Sequence, residues 1–347
     1  MATKTLAVRY RPKTFDDIVE QDNIKTILQQ QLKSGEIKNA YLFCGPAGDG
    51  KTTTARIFAN EINQGKGNPI EMDAASNSGV EDVRNISQQA QSRSLEAEYK
   101  VFIIDECHSI SNTGWQALLK LIEEPPAKSI FIFCTTDPQK IPKTILSRVQ
   151  RYDFQRISQQ GIVNRLEHII NMEHIAITED NHNALEYIAK LADGGMRDAI
   201  TMMEKCLAFN TDLTLENIIK VLGTVDYQEM IKLTDAIANK AIRDVITYVG
   251  NIYSSGKDLK QFLKQYIQFL LDLGKYWTNC DWKYLNIPRL SEYEDWMQAS
   301  SDEDFQITCL KLLAVLTRLH SEIKFSSTPK QDLEATLFIF IEGEEGI

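Results

Sequence analysis

A run of eight residues near the start of the chain has the composition and spacing of a phosphate-binding loop. Residues 45–52 read GPAGDGKT, which fits the pattern G-x-x-x-x-G-K-[S/T], and they lie between an apolar run and a stretch of helical character. Glycines at these positions let successive backbone N–H groups surround phosphate oxygens beside a helix N-terminus, where the partial positive charge favours anions. Because a chance glycine turn rarely stands between a strand and a helix, the loop predicts a nucleotide site.

Individual residues of this loop have expected roles in binding a nucleoside triphosphate. Lys51 should reach the β- and γ-phosphates, and the hydroxyl of Thr52 should bind Mg²⁺. The expected contacts to the nucleotide come from consecutive residues: Gly45, Pro46, Ala47, Gly48, Asp49, Gly50, Lys51, Thr52 and Thr53. Asp49 is an acid beside the expected phosphates, and nothing in the sequence explains its presence there.

Two adjacent carboxylates form a second candidate set. Residues 101–106 read VFIIDE, which is typical of a buried strand that ends in Asp105 and Glu106. Asp105 can hold the Mg²⁺ shell, while Glu106, on the opposite side of the chain, can orient or deprotonate an attacking water. Either carboxylate alone could be a helix cap, but the glycine-rich loop about 50 residues upstream favours the catalytic interpretation.

Three further side chains could complete a cage around the phosphates. Thr136 follows the apolar run 131–134, where a neighbouring strand could place a hydroxyl beside the γ-phosphate. Arg148 follows a short predicted helix that begins near Pro142, and Arg197 lies at the start of a later helix. Taken alone, a threonine at a strand end indicates a turn, and each arginine indicates a surface salt bridge.

A parallel sheet is needed to bring these residues together. In residues 1–157, short β-rich runs alternate with helical stretches, which is typical of a parallel sheet covered on both faces. The predicted strands are 41–44, 70–73, 101–104, 130–134 and 152–154. From residue 158 onward the strand signals stop, and apolar residues at helical spacing predict a small helical domain followed by a helical bundle.

The overall composition excludes several classes of protein. The six cysteines and five histidines show no metal-ligand or disulfide spacing, so we expect buried thiols and no zinc. Without a signal core or a run of roughly 18 apolar residues, we expect a soluble, cytoplasmic protein with no membrane contact. Residues 1–157 carry 20 Lys and Arg against 19 Asp and Glu, whereas residues 158–347 carry 18 against 29. Contact with nucleic acid must therefore be local rather than that of a general polycation.

Several short motifs occur in an order that resembles one family. They are YRPKTFDDI at 10–18, the loop at 45–52, DE at 105–106, EEPP at 123–126, TTDPQK at 135–140, SR at 147–148 and GMRDA at 195–199. Together they resemble the AAA+ clamp-loader ATPases, and the EEPP and TTDPQK motifs are similar to the bacterial gamma/tau subunits of DNA polymerase III in particular. The resemblance carried by motifs covers residues 1–225.

The resemblance implies an architecture and an activity. The architecture is an α/β P-loop NTPase domain with a parallel sheet over 1–157, a small helical lid over 158–223 and an all-α collar over 224–347. The activity is ATP hydrolysis with Mg²⁺ by a subunit of a five-subunit ring, whose partners are the other clamp-loader subunits, a sliding clamp and primer–template DNA. ATP binding would open the clamp and load it, and hydrolysis would release it.

The family's functional residues can be placed on matching positions of this chain. Thr136 would be the sensor beside the γ-phosphate, and Arg197 would be the lid sensor. Arg148 would be an arginine finger that reaches the ATP of a neighbouring subunit, so hydrolysis would need assembly. The residues expected beside the adenine are Val8, Tyr10, Arg11 and Pro12.

A DNA contact is implied at the start of the helix that follows residue 77. Asn77, Ser78, Gly79 and Arg84 would face the DNA backbone, with the N–H groups of Ser78 and Gly79 free for phosphate and Arg84 adding positive charge. An ordinary capped helix explains this segment equally well.

The sequence departs from the family in identifiable places. Gamma/tau subunits usually carry a four-cysteine zinc module, whereas residues 63–68 form a short connection without cysteine, so no zinc is expected. Val149 follows Ser147 and Arg148 where the family usually has cysteine, which leaves the arginine in place. The chain ends soon after the collar, which implies a short form without the longer form's tail.

Two alternative functions remain open. One is a non-hydrolysing structural subunit of the same ring, although such relatives usually lose the loop or carboxylate residues kept here. The other is a different AAA+ motor, such as a branch-migration helicase, which would end in a DNA-binding winged-helix domain. Residues 226–347 are acidic and lack a basic recognition helix, which argues against that alternative.

Overall fold

The computed structural model describes residues 4–77, 79–92, 96–175, 179–210, 212–222, 227–254, 258–288, 290–323 and 326–343. The chain divides into two compact units, Met1–Thr211 and Asp212–Ile347. The three domains predicted over 1–157, 158–223 and 224–347 stay a prediction. The division at residue 211 falls before residue 223, where the predicted lid ends. The helix Leu215–Leu222 lies beyond this division, and the hydroxyl of Thr214 caps it by accepting the N–H of Asn217 at 3.3 Å.

The first unit is built on a five-stranded parallel sheet in the order β2-β3-β4-β1-β5. Its strands are β1 (Ala40–Cys44), β2 (Ile70–Asp73), β3 (Lys100–Asp105), β4 (Ser129–Thr135) and β5 (Gln150–Asp153). All five lie where the sequence predicts them, within one or two residues. β4 lies between β1 and β3, so the carboxyl ends of these three strands are neighbours.

Helices cover both faces of the sheet. Those of the first unit are α1 (Leu6–Arg9), α2 (Asp22–Ser34), α3 (Lys51–Ile62), α4 (Val80–Gln91), α5 (Asn112–Glu123), α6 (Lys143–Leu146), α7 (Gln159–Met172), α8 (Glu179–Leu191) and α9 (Met196–Phe209). Two of them begin at serine N-caps: Ser111 accepts the N–H of Gly114, and Ser158 accepts the N–H of Gly161. Single-turn 3₁₀ helices follow β3 at Cys107–Ser109 and β4 at Pro138–Lys140.

The central strands are apolar along their whole length because each has two buried faces. On β3, Phe102 and Ile104 pack with α4 and α5, whereas Val101 and Ile103 enter a second core with α2 and α3. β1 and β4 are buried at every position. This alternation of sides along a continuously apolar strand is the expected pattern for a parallel sheet between two helical layers.

Helices are the regular elements of the second unit in its described residues. Its helices are α10 (Leu215–Leu222), α11 (Tyr227–Ala238), α12 (Ile242–Ser254), α13 (Leu259–Trp277), α14 (Ser291–Ala299), α15 (Glu303–Glu322) and α16 (Pro329–Glu342). A 3₁₀ turn at Trp282–Tyr284 joins α13 to α14. The core forms around α13 and α15, and inside it the hydroxyls of Thr234 and Tyr266 lie 2.9 Å apart.

Two features bear on the expectations from composition. Cysteine thiols are free, and all are buried except Cys280, which is half-buried; burial raises the pKa of Cys44 to about 11. Among the described helices, none combines the length and apolarity that crossing a lipid bilayer requires.

Candidate active site

A cavity of about 630 Å³ lies in the first unit, at the carboxyl edge of the sheet. The N-terminal segment, the loop after β1, the end of β3 and helices α7 and α9 form its walls. The predicted site residues that line it are Val8, Tyr10, Arg11, Pro12, Ala47, Gly48, Asp49, Gly50, Lys51, Thr52, Thr53, Asp105, Glu106 and Arg197. The structure thus brings together most of the residues that the sequence singled out.

The loop after β1 depends on glycine at two positions. Gly48 and Gly50 have φ angles of 78° and 98°, a region that side chains disfavour, and Gly50 caps α3. A Cβ on Gly48 would lie 3.0 Å from the Cα of Gly195, at the start of α9. The N–H of Met196 donates to the carbonyl of Gly48 at 3.1 Å, so the loop and the start of α9 touch through their backbones.

Lys51 is held inside this loop by three oxygen atoms. Its ammonium donates to Asp49 Oδ1 at 2.9 Å, to the Gly45 carbonyl at 2.8 Å and to the Pro46 carbonyl at 2.5 Å. Burial raises the pKa of Asp49, while the Lys51 charge acts in the opposite direction. Gly45 and Pro46 therefore contribute through their carbonyls to Lys51 rather than as walls of the cavity.

The loop and the end of β3 meet through the two predicted Mg²⁺ ligands. The hydroxyl of Thr52 donates to Asp105 Oδ2 at 2.8 Å. Asp105 Oδ1 accepts the backbone N–H of Glu106 at 3.0 Å, and Glu106 has a φ of 45°, which turns the chain sharply after the strand. These donors fit Mg²⁺, which binds few protein oxygens and keeps water and substrate phosphates as its other ligands.

The Glu106 carboxylate is held by the ends of two strands. Thr136, after β4, donates its hydroxyl to Glu106 Oε2 at 3.1 Å. His108 Nδ1 lies 3.2 Å from the same oxygen and 3.2 Å from the hydroxyl of Thr135. Thr136 does not line the cavity, but it contacts a residue that does. No motif in the sequence singled out His108, and its position just after two strand-end carboxylates is the signal that could have identified it.

The two candidate arginines lie in different places. Arg197, in the first turn of α9, lines the cavity. Arg148 lies outside the cavity wall and is exposed; its guanidinium contacts Glu123 at 2.7 Å and donates to the Thr144 carbonyl at 2.7 Å.

The N-terminal segment is tied to α7, α9 and the residue that follows α7 by side chains that the sequence did not indicate. Glu204 of α9 accepts the N–H of Leu6 at 2.9 Å, and Arg165 of α7 donates to the Tyr10 carbonyl at 2.7 Å. Glu173 accepts the Tyr10 hydroxyl and pairs with Arg9 at 3.0 Å. Burial lowers the pKa of Arg165, and Asp17 partly offsets this. Their partners lie more than 150 residues away along the chain, so no local pattern marks them.

The predicted DNA segment lies at the start of α4. Asn77, Gly79 and Arg84 are exposed, whereas Ser78 is outside the described residues. The expectation of a free N–H on Gly79 is wrong, because Asp82 Oδ2, from the first turn of the helix, accepts it at 3.2 Å. Two acids, Glu81 and Asp82, stand in the first turn of this helix.

A zinc site would need several His, Cys, Asp or Glu side chains close together. Within the described ranges, no group of three or more His, Cys, Asp and Glu side chains could hold a metal ion. The absence of zinc stays a prediction.

Family models match consecutive parts of the chain. Residues 69–158 match "DNA polymerase III, delta subunit", residues 161–212 match "DNA polymerase III clamp loader subunit, ATPase lid domain", and residues 213–341 match "DNA polymerase III subunits gamma and tau domain III".

Solved structures give the fold. RuvB of Thermotoga maritima, a Holliday junction branch migration motor, matches with a TM-score of 0.52 at 20% identity over 72% of this chain and 86% of that one. At this identity the likeness extends to the fold alone.

Curated relatives extend over nearly the whole chain. DNA polymerase III subunit tau of Bacillus subtilis is 34% identical over 95% of this chain, and that of Escherichia coli is 34% identical over 78%. The chain spans 62% and 45% of those two proteins. Subunit gamma of Buchnera aphidicola is 29% identical over 97% of this chain and 98% of its own length. The chain belongs to the family of DNA polymerase III gamma and tau clamp-loader subunits.

Proposed function

We propose that this chain is an ATP-hydrolysing subunit of a sliding-clamp loader in DNA replication. The observation that carries the proposal is the 2.8 Å contact between Thr52 and Asp105, which joins the phosphate-binding loop to the end of β3 at the cavity wall. Glu106 lies beside it on the same wall. Family membership supports clamp loading as the purpose of this chemistry.

Each polar group of the cavity has a proposed part in hydrolysis. Thr52 and Asp105 would hold Mg²⁺, which supplies positive charge against the phosphate oxygens when bound. Glu106 orients the attacking water and accepts its proton, and Thr136 holds the Glu106 carboxylate in place. Lys51 and Arg197 neutralise charge on the phosphates. The adenine lies beside the N-terminal segment that includes Val8, Tyr10, Arg11 and Pro12.

Assembly completes the site in this proposal. Arg148 is exposed and lies outside the cavity of its own chain, which supports a role toward the ATP of a neighbouring subunit. The proposed assembly is a five-subunit ring of clamp-loader subunits in the cytoplasm, without zinc. The isolated chain should then hydrolyse ATP slowly, and a clamp and primer–template DNA should accelerate it.

The proposed DNA contact is local. Asn77 and Arg84 are exposed near the start of α4 and supply the donors. Gly79 is exposed between them, and Ser78, which belongs to the same predicted contact, lies outside the described residues. Asp82 already occupies the Gly79 N–H, so phosphate binding there depends on Arg84 more than on the helix N-terminus.

A branch-migration motor is the alternative that the fold raises, since RuvB has a similar architecture. The second unit argues against it, because residues 213–341 match the gamma and tau domain III and their described part is helical. The other alternative, a non-hydrolysing structural subunit, predicts no ATP hydrolysis in the assembled complex. Measured turnover therefore decides between this alternative and the proposal.

Steady-state ATP hydrolysis tests the proposal, measured for the chain alone and then with clamp, partner subunits and primed DNA. We expect strong stimulation that Arg148→Ala abolishes. Glu106→Gln should lower turnover by about 10²- to 10³-fold while ATP still binds, whereas Glu61→Gln, at an exposed position on α3, should leave turnover unchanged. High turnover without partners would point to another motor, and none in the complete assembly would indicate a structural subunit.

A further inference from the structure

The Asp49 carboxylate in the phosphate-binding loop has no role in the proposed chemistry. It is 2% exposed and lies beside Lys51, which is 5% exposed. Its Oδ1 atom accepts the Lys51 ammonium at 2.9 Å and the Lys51 backbone N–H at 3.3 Å. One carboxylate oxygen therefore occupies both of the groups on Lys51 that a P-loop offers to phosphate.

The contacts of Lys51 use the whole donor capacity of its side chain. An ammonium group has three N–H bonds and no acceptor. Its three partners are Asp49 Oδ1 and the carbonyls of Gly45 and Pro46. To bind a phosphate oxygen, the ammonium must give up one of these partners or share an N–H between two acceptors. The carboxylate is the only one of the three that carries a charge.

The loop is shaped to contain this anion. A Cβ on Gly45 would collide with Asp49 Oδ2, so the glycine leaves the space that the carboxylate fills. Among the described residues, no donor reaches this second oxygen. Asp49 is therefore buried with one oxygen engaged by Lys51 and the other without a hydrogen bond, which is a poor arrangement for a purely structural carboxylate.

The charges in the cavity wall also indicate that Asp49 is more than a structural group. The cationic side chains in its wall are Arg11, Lys51, Arg165 and Arg197, and the acidic ones are Asp49, Asp105, Glu106, Asp198 and Glu204. Asp105 and Glu106 have parts in the proposed hydrolysis. Asp49 instead reduces the positive field of Lys51 at the place where phosphate charge would gather.

We propose that Asp49 competes with the phosphates of the nucleotide for Lys51 and thereby lowers the affinity of the site for both ATP and ADP. The inference rests on the proposed nucleotide site. The opposite role is alignment of Lys51 toward the phosphates. The two roles differ in sign, because removing the charge tightens nucleotide binding under competition and weakens it under alignment.

Isothermal titration calorimetry of the full chain with Mg-ATP and with Mg-ADP distinguishes the two roles. Asp49→Asn keeps the shape of the side chain and removes its charge, and we expect Kd for both nucleotides to fall by about tenfold. Asp49→Ala also removes the acceptor, and we expect Kd for both nucleotides to fall in this variant too. It replaces Asp49→Asn as the test if the Asn variant folds poorly. An unchanged or higher Kd in the folded variants would overturn the proposal.

Asp198→Asn is the matched control. It removes a carboxylate from the wall of the same cavity while leaving the contacts of Lys51 in place. Equal tightening by Asp198→Asn and Asp49→Asn would assign the effect to the total charge of the cavity and overturn competition for Lys51. If the wild-type chain binds nucleotide and Asp49→Asn binds no more tightly, this inference fails alone. If neither binds, the proposed function fails with it.

Discussion

Each unit of the chain buries an aspartate paired with a lysine, but the two pairs are completed differently. In the second unit, Asp272 is 1% exposed, and both of its oxygens are bonded. Asp272 Oδ1 accepts Lys275 at 3.1 Å, and Oδ2 accepts the backbone N–H groups of Asn286 at 2.6 Å and Ile287 at 3.2 Å. In the first unit, Asp49 has Lys51 on one oxygen and, among the described residues, no donor on the other.

Burial alone therefore does not separate a structural carboxylate from a functional one. Asp272 fixes the segment between the 3₁₀ turn and α14, because one of its oxygens satisfies two backbone donors there that would otherwise lack partners. Asp49 satisfies only the backbone and side chain of Lys51, a residue that the proposed chemistry needs elsewhere. The two sites differ in whether both carboxylate oxygens are hydrogen-bonded and in whether the lysine partner is needed for the proposed chemistry.

The two lysines give the largest contrast. Lys51→Ala should reduce ATP turnover by about 10³-fold, since a buried cation is lost from the phosphate site. Lys275→Ala should leave turnover unchanged, because Lys275 lies in the second unit, where its ammonium donates to Asp272 and to the Tyr284 carbonyl. Steady-state hydrolysis in the assembled complex measures both. Turnover that fell equally in the two variants would erase the distinction between the pairs.

The next effect is on stability. Asp272→Asn should lower the free energy of unfolding by about 3 kcal/mol, because two backbone donors and a lysine lose a charged acceptor. Urea unfolding followed by tryptophan fluorescence is suitable, since Trp277, Trp282 and Trp296 all lie in the second unit. The affinity for ATP should not change. A loss below about 1 kcal/mol would place Asp272 among ordinary surface carboxylates.

Two glycines extend the comparison to the backbone. Gly48→Ala should destabilise the first unit by about 2 kcal/mol, because the φ of 78° is strained for alanine and the new Cβ would press on Gly195. Gly274→Ala, inside α13, should stabilise the second unit by about 0.5–1 kcal/mol, since its Cβ would meet Leu310 at an ordinary 3.8 Å. Thermal unfolding measures the stability of each variant relative to the wild type, and a stability change of the same sign in both variants would contradict this expectation.

The sequence predicted those parts of the fold and site that depend on local pattern. The five strands follow from continuous apolar runs, and Lys51, Thr52 and Asp105 follow from spacing at strand ends. Their convergence follows from the parallel sheet, because the carboxyl ends of parallel strands meet at one edge. Arg165 and Glu204 could not be predicted, since each acts on a backbone far away along the chain.

The direction in which a side chain turns was the other feature that could not be predicted from the sequence. The Asp49 contact with Lys51 spans two residues, yet only the fold shows that the carboxylate turns toward the lysine. At Gly79 the sequence suggested a free N–H, and the acid three positions later occupies it. Both cases are acids whose direction depends on the local backbone, which composition and spacing do not specify.

Proton binding gives the smallest expected effect. Burial raises the pKa of Asp49 in the first unit. Burial also raises the pKa of Asp235 in the second unit, although the Trp296 N–H that donates to this carboxylate acts in the opposite direction. A carboxyl with a raised pKa binds protons more tightly in the folded chain, so it lowers the free energy of unfolding as pH rises above about 4.

Asp49→Asn and Asp235→Asn cannot titrate at these positions. The free energy of unfolding of each variant, relative to the wild type, should therefore increase as pH is raised from about 4 toward 7. Urea unfolding at several pH values measures this difference, with Trp115 reporting on the first unit and Trp296 on the second. A difference that shrank with rising pH in the Asp49 variant alone would mean that the pairing with Lys51 outweighs burial at this site.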